Sequence, residues 1–244
     1  VPMILPDGRS LHGINDASIR IGLRLSKDET IVRMPFEVRH MGSKYPIFSF
    51  DFTGAKRGVL PASYDYLRLE GRMQYRLNLP PIGYSQLMLE GGKIFGKVPY
   101  LLLKLHEGNG TYFYDRYAFS CMNFYEFSSD AWISFFYEHH FNGFLLGRVP
   151  LLKKLNWREV FVFKGVYGTL SARNDGSLPN TKAVMLFPVG MSSVEHPYLE
   201  TGFGIENIFR LLRVDCIWRL THHRAVPGLS IPTFTVNFSL NLKF

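Results

Sequence analysis

The chain has 244 residues, 46% apolar and 15% aromatic, with 28 Lys+Arg against 20 Asp+Glu for a formal charge of +8. That length suits one large domain or a barrel, and no run nears the 18 consecutive apolar residues of a membrane-spanning helix. Arg68, Arg72 and Arg76 share one strand face, as do Arg20 and Arg24, and no Lys/Arg cluster forms, which argues against nucleic acid as a partner.

In chain order, the start at Val1-Pro2-Met3 has neither an initiator Met nor a secretory leader. The expectation is a leader already removed or a piece of a longer protein. Residues 18–25 alternate, with Ile19, Ile21, Leu23 and Leu25 on one side and Arg20, Gly22 and Arg24 on the other. A side-chain period of two is that of a strand with an oily face and a wet face. After a polar turn at 26–29, Val32, Met34, Phe36 and Val38 oppose Arg33, Pro35, Glu37 and Arg39, which predicts a second strand. Phe48, Phe50 and Phe52 mark a third, and 54–63 reads as a loop.

Residues 67–78 give the clearest internal strand. Leu67, Leu69, Met73, Tyr75 and Leu77 face one way, and Arg68, Glu70, Arg72, Gln74, Arg76 and Asn78 the other. Pro80-Pro81 stops it, and another strand is predicted over 84–95. The rhythm breaks over 97–114, where 98–106 reads as a short inserted helix or an inward loop. Further strands are predicted over 117–127, 131–141, 159–171, 198–206 and 209–221. Residues 148–156 read as a short amphipathic turn, and 172–197 as a longer loop in which 183–187 extends a strand.

The last stretch, 233–244, alternates without a fault: Phe234, Val236, Phe238, Leu240, Leu242 and Phe244 against Thr233, Thr235, Asn237, Ser239, Asn241 and Lys243. A bilayer-spanning strand needs about 9–11 such residues. Phe238, Leu240, Leu242 and Phe244 therefore make the expected assembly signal, because outer-membrane barrels end on a strand that closes in Phe.

Roughly ten to twelve strands with turn signals between them make the expected fold all-β. The strands are long, their polar face is densely charged, and the apolar side chains are too many to fill a small soluble barrel. Those features point to one antiparallel transmembrane β-barrel domain over 1–244, with apolar side chains outward. A soluble sandwich or barrel is the second reading. Tyr64, Tyr66, Tyr84, Tyr117, Phe127, Trp132 and Phe141 are expected near strand ends as interface aromatics.

Three stretches carry a family resemblance: residues 117–159, the run Gly202-Phe203-Gly204-Ile205-Glu206-Asn207-Ile208 with Leu211-Leu212-Arg213-Val214-Asp215 after it, and the closing strand. Together they resemble the C-terminal outer-membrane barrel of a Bacteroidetes family whose members carry a carboxypeptidase-regulatory-like β-domain ahead of it. That barrel is similar to the surface-antigen barrels of the BamA and two-partner-secretion superfamily. The superfamily's Arg-Gly-aromatic loop motif has its nearest counterpart in Asp115-Arg116-Tyr117, which lacks the Gly. The resemblance spans the chain from about Lys44 onward. A full barrel of that kind has more strands than are legible here, so the chain reads as its C-terminal portion.

The candidate site is a lumen charge cluster of Arg68, Glu70, Arg72, Arg76, Arg116 and Glu126. Paired across strands, such charges hold a polar interior together; unpaired, they form an electropositive lumen for a loop or an anionic solute. The His139-His140 and His222-His223 pairs do not chelate as pairs, because neighbours in a strand point to opposite faces. Cys121 and Cys216, without a CxxC, support neither a zinc site nor a disulfide framework. No metal and no cofactor is expected. No GxSxG occurs, and a barrel-embedded hydrolase would draw on Asp115, Glu126, Glu138 and His140. The paired glycines at 91–92 and the 202–204 stretch mark bends or close approach rather than phosphate loops.

The expected function is that of a non-enzymatic, bacterial outer-membrane barrel with a structural, assembly, export or surface-display role. Its partners are the lipid bilayer, lipopolysaccharide, the outer-membrane assembly machinery and other envelope proteins. The alternative is a pore for small solutes.

Overall fold

Nine strands pair in chain order into a single antiparallel sheet. They are β1 (Ile19–Leu25), β2 (Ile47–Ala55), β3 (Tyr66–Asn78), β4 (Tyr84–Gly96), β5 (Ala131–His140), β6 (Arg158–Thr169), β7 (Tyr198–Ile208), β8 (Leu212–Arg219) and β9 (Phe234–Leu240). The structure is a computed structural model that describes residues 3–59, 61–178, 182–224 and 230–240. Each strand hydrogen-bonds the next, from β1 with β2 through to β8 with β9.

The all-β, antiparallel expectation holds. Among the described residues nothing pairs β1 with β9, so the described sheet is open, with β1 and β9 at its edges. Most predicted strands appear within a residue or two of their expected bounds. The strand expected over 32–39 is instead a hairpin of Thr30–Arg33 and Val38–Gly42. The Met34 N–H donates to the Glu37 carbonyl across a turn that places Pro35 where its fixed φ is favoured. The strand expected over 117–127 also fails, since only Phe127–Ser129 is extended. Residues 183–187 form no strand, and 148–156 holds the short helix Pro150–Lys153.

Register settles which side chains share a face. The outer face carries Ile21, Phe50, Leu69, Leu89, Phe135, Phe163, Phe203, Trp218 and Phe238, drawn from all nine strands. Ile21 is 66% exposed and Phe203 59% exposed. The inner face carries Glu90, Glu138, Lys164, Glu200, Arg213, Asp215 and Arg219, and all seven are buried. This reverses a soluble sheet, where the apolar face is the covered one.

The connections differ at the two ends. At one end lie the tight turns 79–83 and 209–211, together with 26–46 and 141–157. At the other lie 56–65 and the long stretches 97–130, 170–197 and 220–233. Residues 97–130 fold back over the inner face. The Tyr100–Leu102 turn and a small three-stranded sheet of Lys104–Leu105, Phe127–Ser129 and Ser192–Ser193 lie in this covering layer. The 98–106 stretch is thus an inward loop with one helical turn.

Two apolar clusters glue this layer to the wall. One joins Phe119, Met122 and Phe127 of the loop to Met88, Phe136, Val166 and Tyr198 of the strands. The other joins Val98, Tyr100 and Leu103 to Ile94 and Trp132. Trp132, Tyr84 and Tyr66 follow the inner parity of their strands, while Tyr117 and Phe127 belong to the loop, so these five are not interface aromatics. Gly92 makes room for the Trp132 ring: a Cβ there would lie 2.5 Å from it.

Candidate functional site

The inserted loop is held by one buried polar side chain from each of six consecutive strands. On β4, Glu90 accepts from Lys104 Nζ at 2.7 Å. On β5, Glu138 accepts from Arg116 Nε at 2.9 Å and from the Tyr114 hydroxyl. On β6, Lys164 Nζ donates to the carbonyls of Asp115 at 2.7 Å and Ala118 at 2.6 Å. On β7, Glu200 accepts the amides of Ser120 and Cys121. On β8, Arg219 bonds Glu126 at 2.6 Å and the Cys121 carbonyl at 3.1 Å. On β9, Asn237 Nδ2 donates to the Thr111 carbonyl at 3.1 Å.

These contacts explain why residues 117–126 are not a strand. The Ser120 and Cys121 amides and the Ala118 and Cys121 carbonyls are met by charged wall side chains, and Phe119 bonds Glu107 and Asn109 within the loop, which meets the requirement that buried N–H and C=O groups be paired without a strand ladder. A charge buried without a partner would be prohibitive, and here each is paired or bonded several times.

Behind Glu138 the network continues along the wall. His140 Nε2 lies 3.3 Å from Glu138 and its Nδ1 3.1 Å from Glu206, and the ring stacks on Tyr84 at 4.5 Å. Arg213 bonds Asp215 at 2.8 Å and Glu138 at 3.3 Å.

The six residues expected as one cluster do not converge: Arg68 and Glu70 pair with each other and the rest go to other partners. Arg68 bonds Glu70 at 2.7 Å and lies over the Trp132 ring. Arg72 bonds Glu90 at 2.6 Å, beside Lys104. Among the described residues no carboxylate pairs with Arg76; its guanidinium stacks 4.1 Å over Tyr84. Arg116 joins Glu138, and Glu126 joins Arg219 near the long-loop end. Of the hydrolase candidates, Glu138 and His140 come together, while Glu126 and Asp115 do not join them. His139 and His140 do point to opposite sides: His139 bonds Ser85 and the Ile82 carbonyl. Among the described residues no three His, Cys, Asp or Glu side chains converge as metal ligands.

Lys164, Glu200, Glu206, Arg213, Asp215 and Asn237 were not singled out from sequence. Their signal was available: each takes the polar parity of its strand, and Lys164 is a lone cation after Val160-Phe161-Val162-Phe163. Of the expected assembly signal, Phe238 and Leu240 point outward, whereas Leu242 and Phe244 lie outside the described residues.

Burial pushes the Cys121 thiol up to about 12, with Glu200 adding to the effect. A thiol so protonated is no nucleophile. Burial likewise holds His106 neutral, its pKa lowered to about 3, with Nε2 3.0 Å from the Ser129 hydroxyl. Among the spaces beside the loop, two are lined by the residues of the site. One, about 250 Å³, lies among Arg72, Glu90, Lys104, His106 and Asp115. The other, about 1120 Å³, opens at the long-loop end between Phe124, Tyr125, His196, His222 and Arg224, over the saturated Arg219.

No curated protein matches the chain. A family model described as the C-terminal domain of a family of unknown function, DUF5686, matches residues 11–172. That span starts earlier than the resemblance read from sequence and contains its first stretch, 117–159, while the other two lie beyond it. With about two thirds of its length matched, the chain belongs to the DUF5686 C-terminal domain family.

Proposed function

We propose that this chain is wall and plug of an outer-membrane β-barrel, similar to the surface-antigen barrels of the BamA superfamily. Its role is structural, in assembly, export or surface display of envelope components, with no chemistry of its own. One observation carries the reading: the nine-stranded sheet exposes its apolar face and buries its charged one. In water that arrangement loses the hydrophobic driving force; in a bilayer the same face is solvated by lipid.

Lumen size supports a larger barrel. About eight strands enclose a space that side chains alone fill. Here the inner face also packs a whole inserted loop through two apolar clusters, so the lumen is wider than nine strands enclose and further strands complete the wall. Short turns sit on the periplasmic side of such barrels and long loops outside. On this reading the 97–130, 170–197 and 220–233 connections face lipopolysaccharide, and the end of β9 faces the assembly machinery. Other envelope proteins meet the barrel at those exposed loops.

The pore reading is disfavoured by the six-strand clamp on the loop, and the hydrolase reading by His140, both of whose nitrogens face carboxylates. Fractionation of the full-length protein with heat-modifiable gel mobility, followed by planar-bilayer recording, tests the proposal. The expected result is a heat-modifiable outer-membrane species that conducts no steady current. Recovery in the soluble fraction would end the barrel reading, and stable channels in wild type would favour the pore.

A further inference from the structure

The free side of β9 is partly covered by the inserted loop. Phe238 N–H donates to the Tyr112 carbonyl at 2.7 Å, and Tyr114 N–H donates to the Phe238 carbonyl at 2.7 Å, which makes Phe113 and Phe238 parallel bridge partners. Backbone groups alternate sides along a strand. The N–H and C=O of Phe234, Val236 and Leu240 therefore point the same way as those of Phe238. Among the described residues, only Phe238 is met on that side. The apex of the covering tip is exposed, while its flanks are tied down by Asn237 Nδ2 on the Thr111 carbonyl and by the Tyr114 hydroxyl on Glu138. Tyr112 is 77% exposed and Phe113 69% exposed, and Asn109 spends its side chain on the tip's own Thr111 and Phe113.

Proteins blunt exposed strand edges by covering them, because a bare edge recruits other chains. In hydrocarbon a bare edge is worse, since nothing else satisfies its polar groups. A single bridge on one residue of β9 leaves the rest of the strand uncovered.

We propose that residues 111–114 are a stand-in on the β9 edge, exchanged during assembly for a full strand. Its partner is a transmembrane β-strand antiparallel to β9, with apolar residues outward at every second position and small or polar residues between. The inference rests on the barrel reading. The Phe238 N–H and C=O cannot serve tip and strand together, so completion of the wall expels the tip into the lumen. The exchange gives up the Asn237–Thr111 and Glu138–Tyr114 bonds, while Glu138 keeps Arg116, and Lys164 and Glu200 still hold residues 115–121.

The experiment uses the full-length protein with Cys121→Ser and Cys216→Ser as background and adds Phe113→Cys with Phe238→Cys. After mild oxidation, free thiols are counted by alkylation in two fractions separated by heat-modifiable mobility. The expected result is a disulfide in the unassembled fraction and free thiols in more than about half of the assembled fraction, cross-linking being a short-range contact report. Disulfide in both fractions means the tip stays, and free thiols in both mean it never binds; either overturns the proposal. If that pair prevents folding, Thr111→Cys with Asn237→Cys reads the same contact. Absence of any membrane-embedded, heat-modifiable species in the parent would instead count against the barrel reading itself.

Discussion

Glu200 on β7 accepts hydrogen bonds from two successive amides of the inserted loop, Ser120 at 2.8 Å and Cys121 at 2.7 Å. It also accepts from the Tyr198 hydroxyl at 2.6 Å. One carboxylate thus fixes the loop's turn toward the wall with all of its contacts dry. Glu200→Ala strands both amides, at about 1–3 kcal/mol for each buried group left unmet. The expected outcome is a lower heat-modification midpoint and new proteolytic cleavage within 115–125, with Glu200→Gln milder because it keeps one acceptor. Unchanged protease resistance in the alanine variant would show that the loop is held without it.

Neighbours on β3 should answer oppositely to polarity. Met73 faces outward, and Arg72 faces inward onto Glu90. Met73→Arg puts a cation against lipid at about 2–4 kcal/mol near the midplane. Arg72→Gln keeps hydrogen-bonding capacity, and Lys104 still neutralises Glu90. The amount of heat-modifiable barrel should fall sharply for the first and little for the second; equal losses would reverse the assignment of faces.

The terminal strand offers the same contrast. Leu240 is 63% exposed on the outer face, and Ser239 takes the inner parity. Leu240→Asp should reduce outer-membrane insertion in pulse-labelled fractions more than Ser239→Asp does. A larger loss from the serine position would place lipid on the other side of β9.

Acid should loosen the loop through His106. Its folded pKa lies near 3 because burial disfavours the imidazolium, whereas the unfolded chain takes up the proton near the ordinary value of 6.5. The unfolded state therefore binds more protons below pH 6.5, and stability falls as pH drops from there toward 3. At pH 5 the loss is about 2 kcal/mol, from about 1.4 kcal/mol per pH unit. His106→Gln should flatten the midpoint between pH 6.5 and 4.5, and an unaltered slope would assign the acid response to other groups.

Alternation along single strands was enough to place Leu69 and Arg72 on opposite faces and to locate β1, β3, β4, β5, β6 and β7, because the side-chain period is local to the backbone. It also read the break after Gly96, leaving a short inserted helix and an inward loop both open, and the structure shows the loop. It misjudged residues 117–126, whose aromatic text resembles a strand. Their polar groups are met by Lys164 and Glu200, which register, not local pattern, brings beneath them. The same limit governs charge. Parity put Arg68, Arg72, Arg76 and Glu70 on one side, but only the alignment of β3 with β4 and β5 gave Arg72 to Glu90 and set Arg76 and Arg68 over the rings of Tyr84 and Trp132. Sequence thus determined the two faces of each strand. Tertiary structure decided which face is covered, by what, and with which ion pairs, because those depend on register between segments up to 126 residues apart, as Asn237 and Thr111 are.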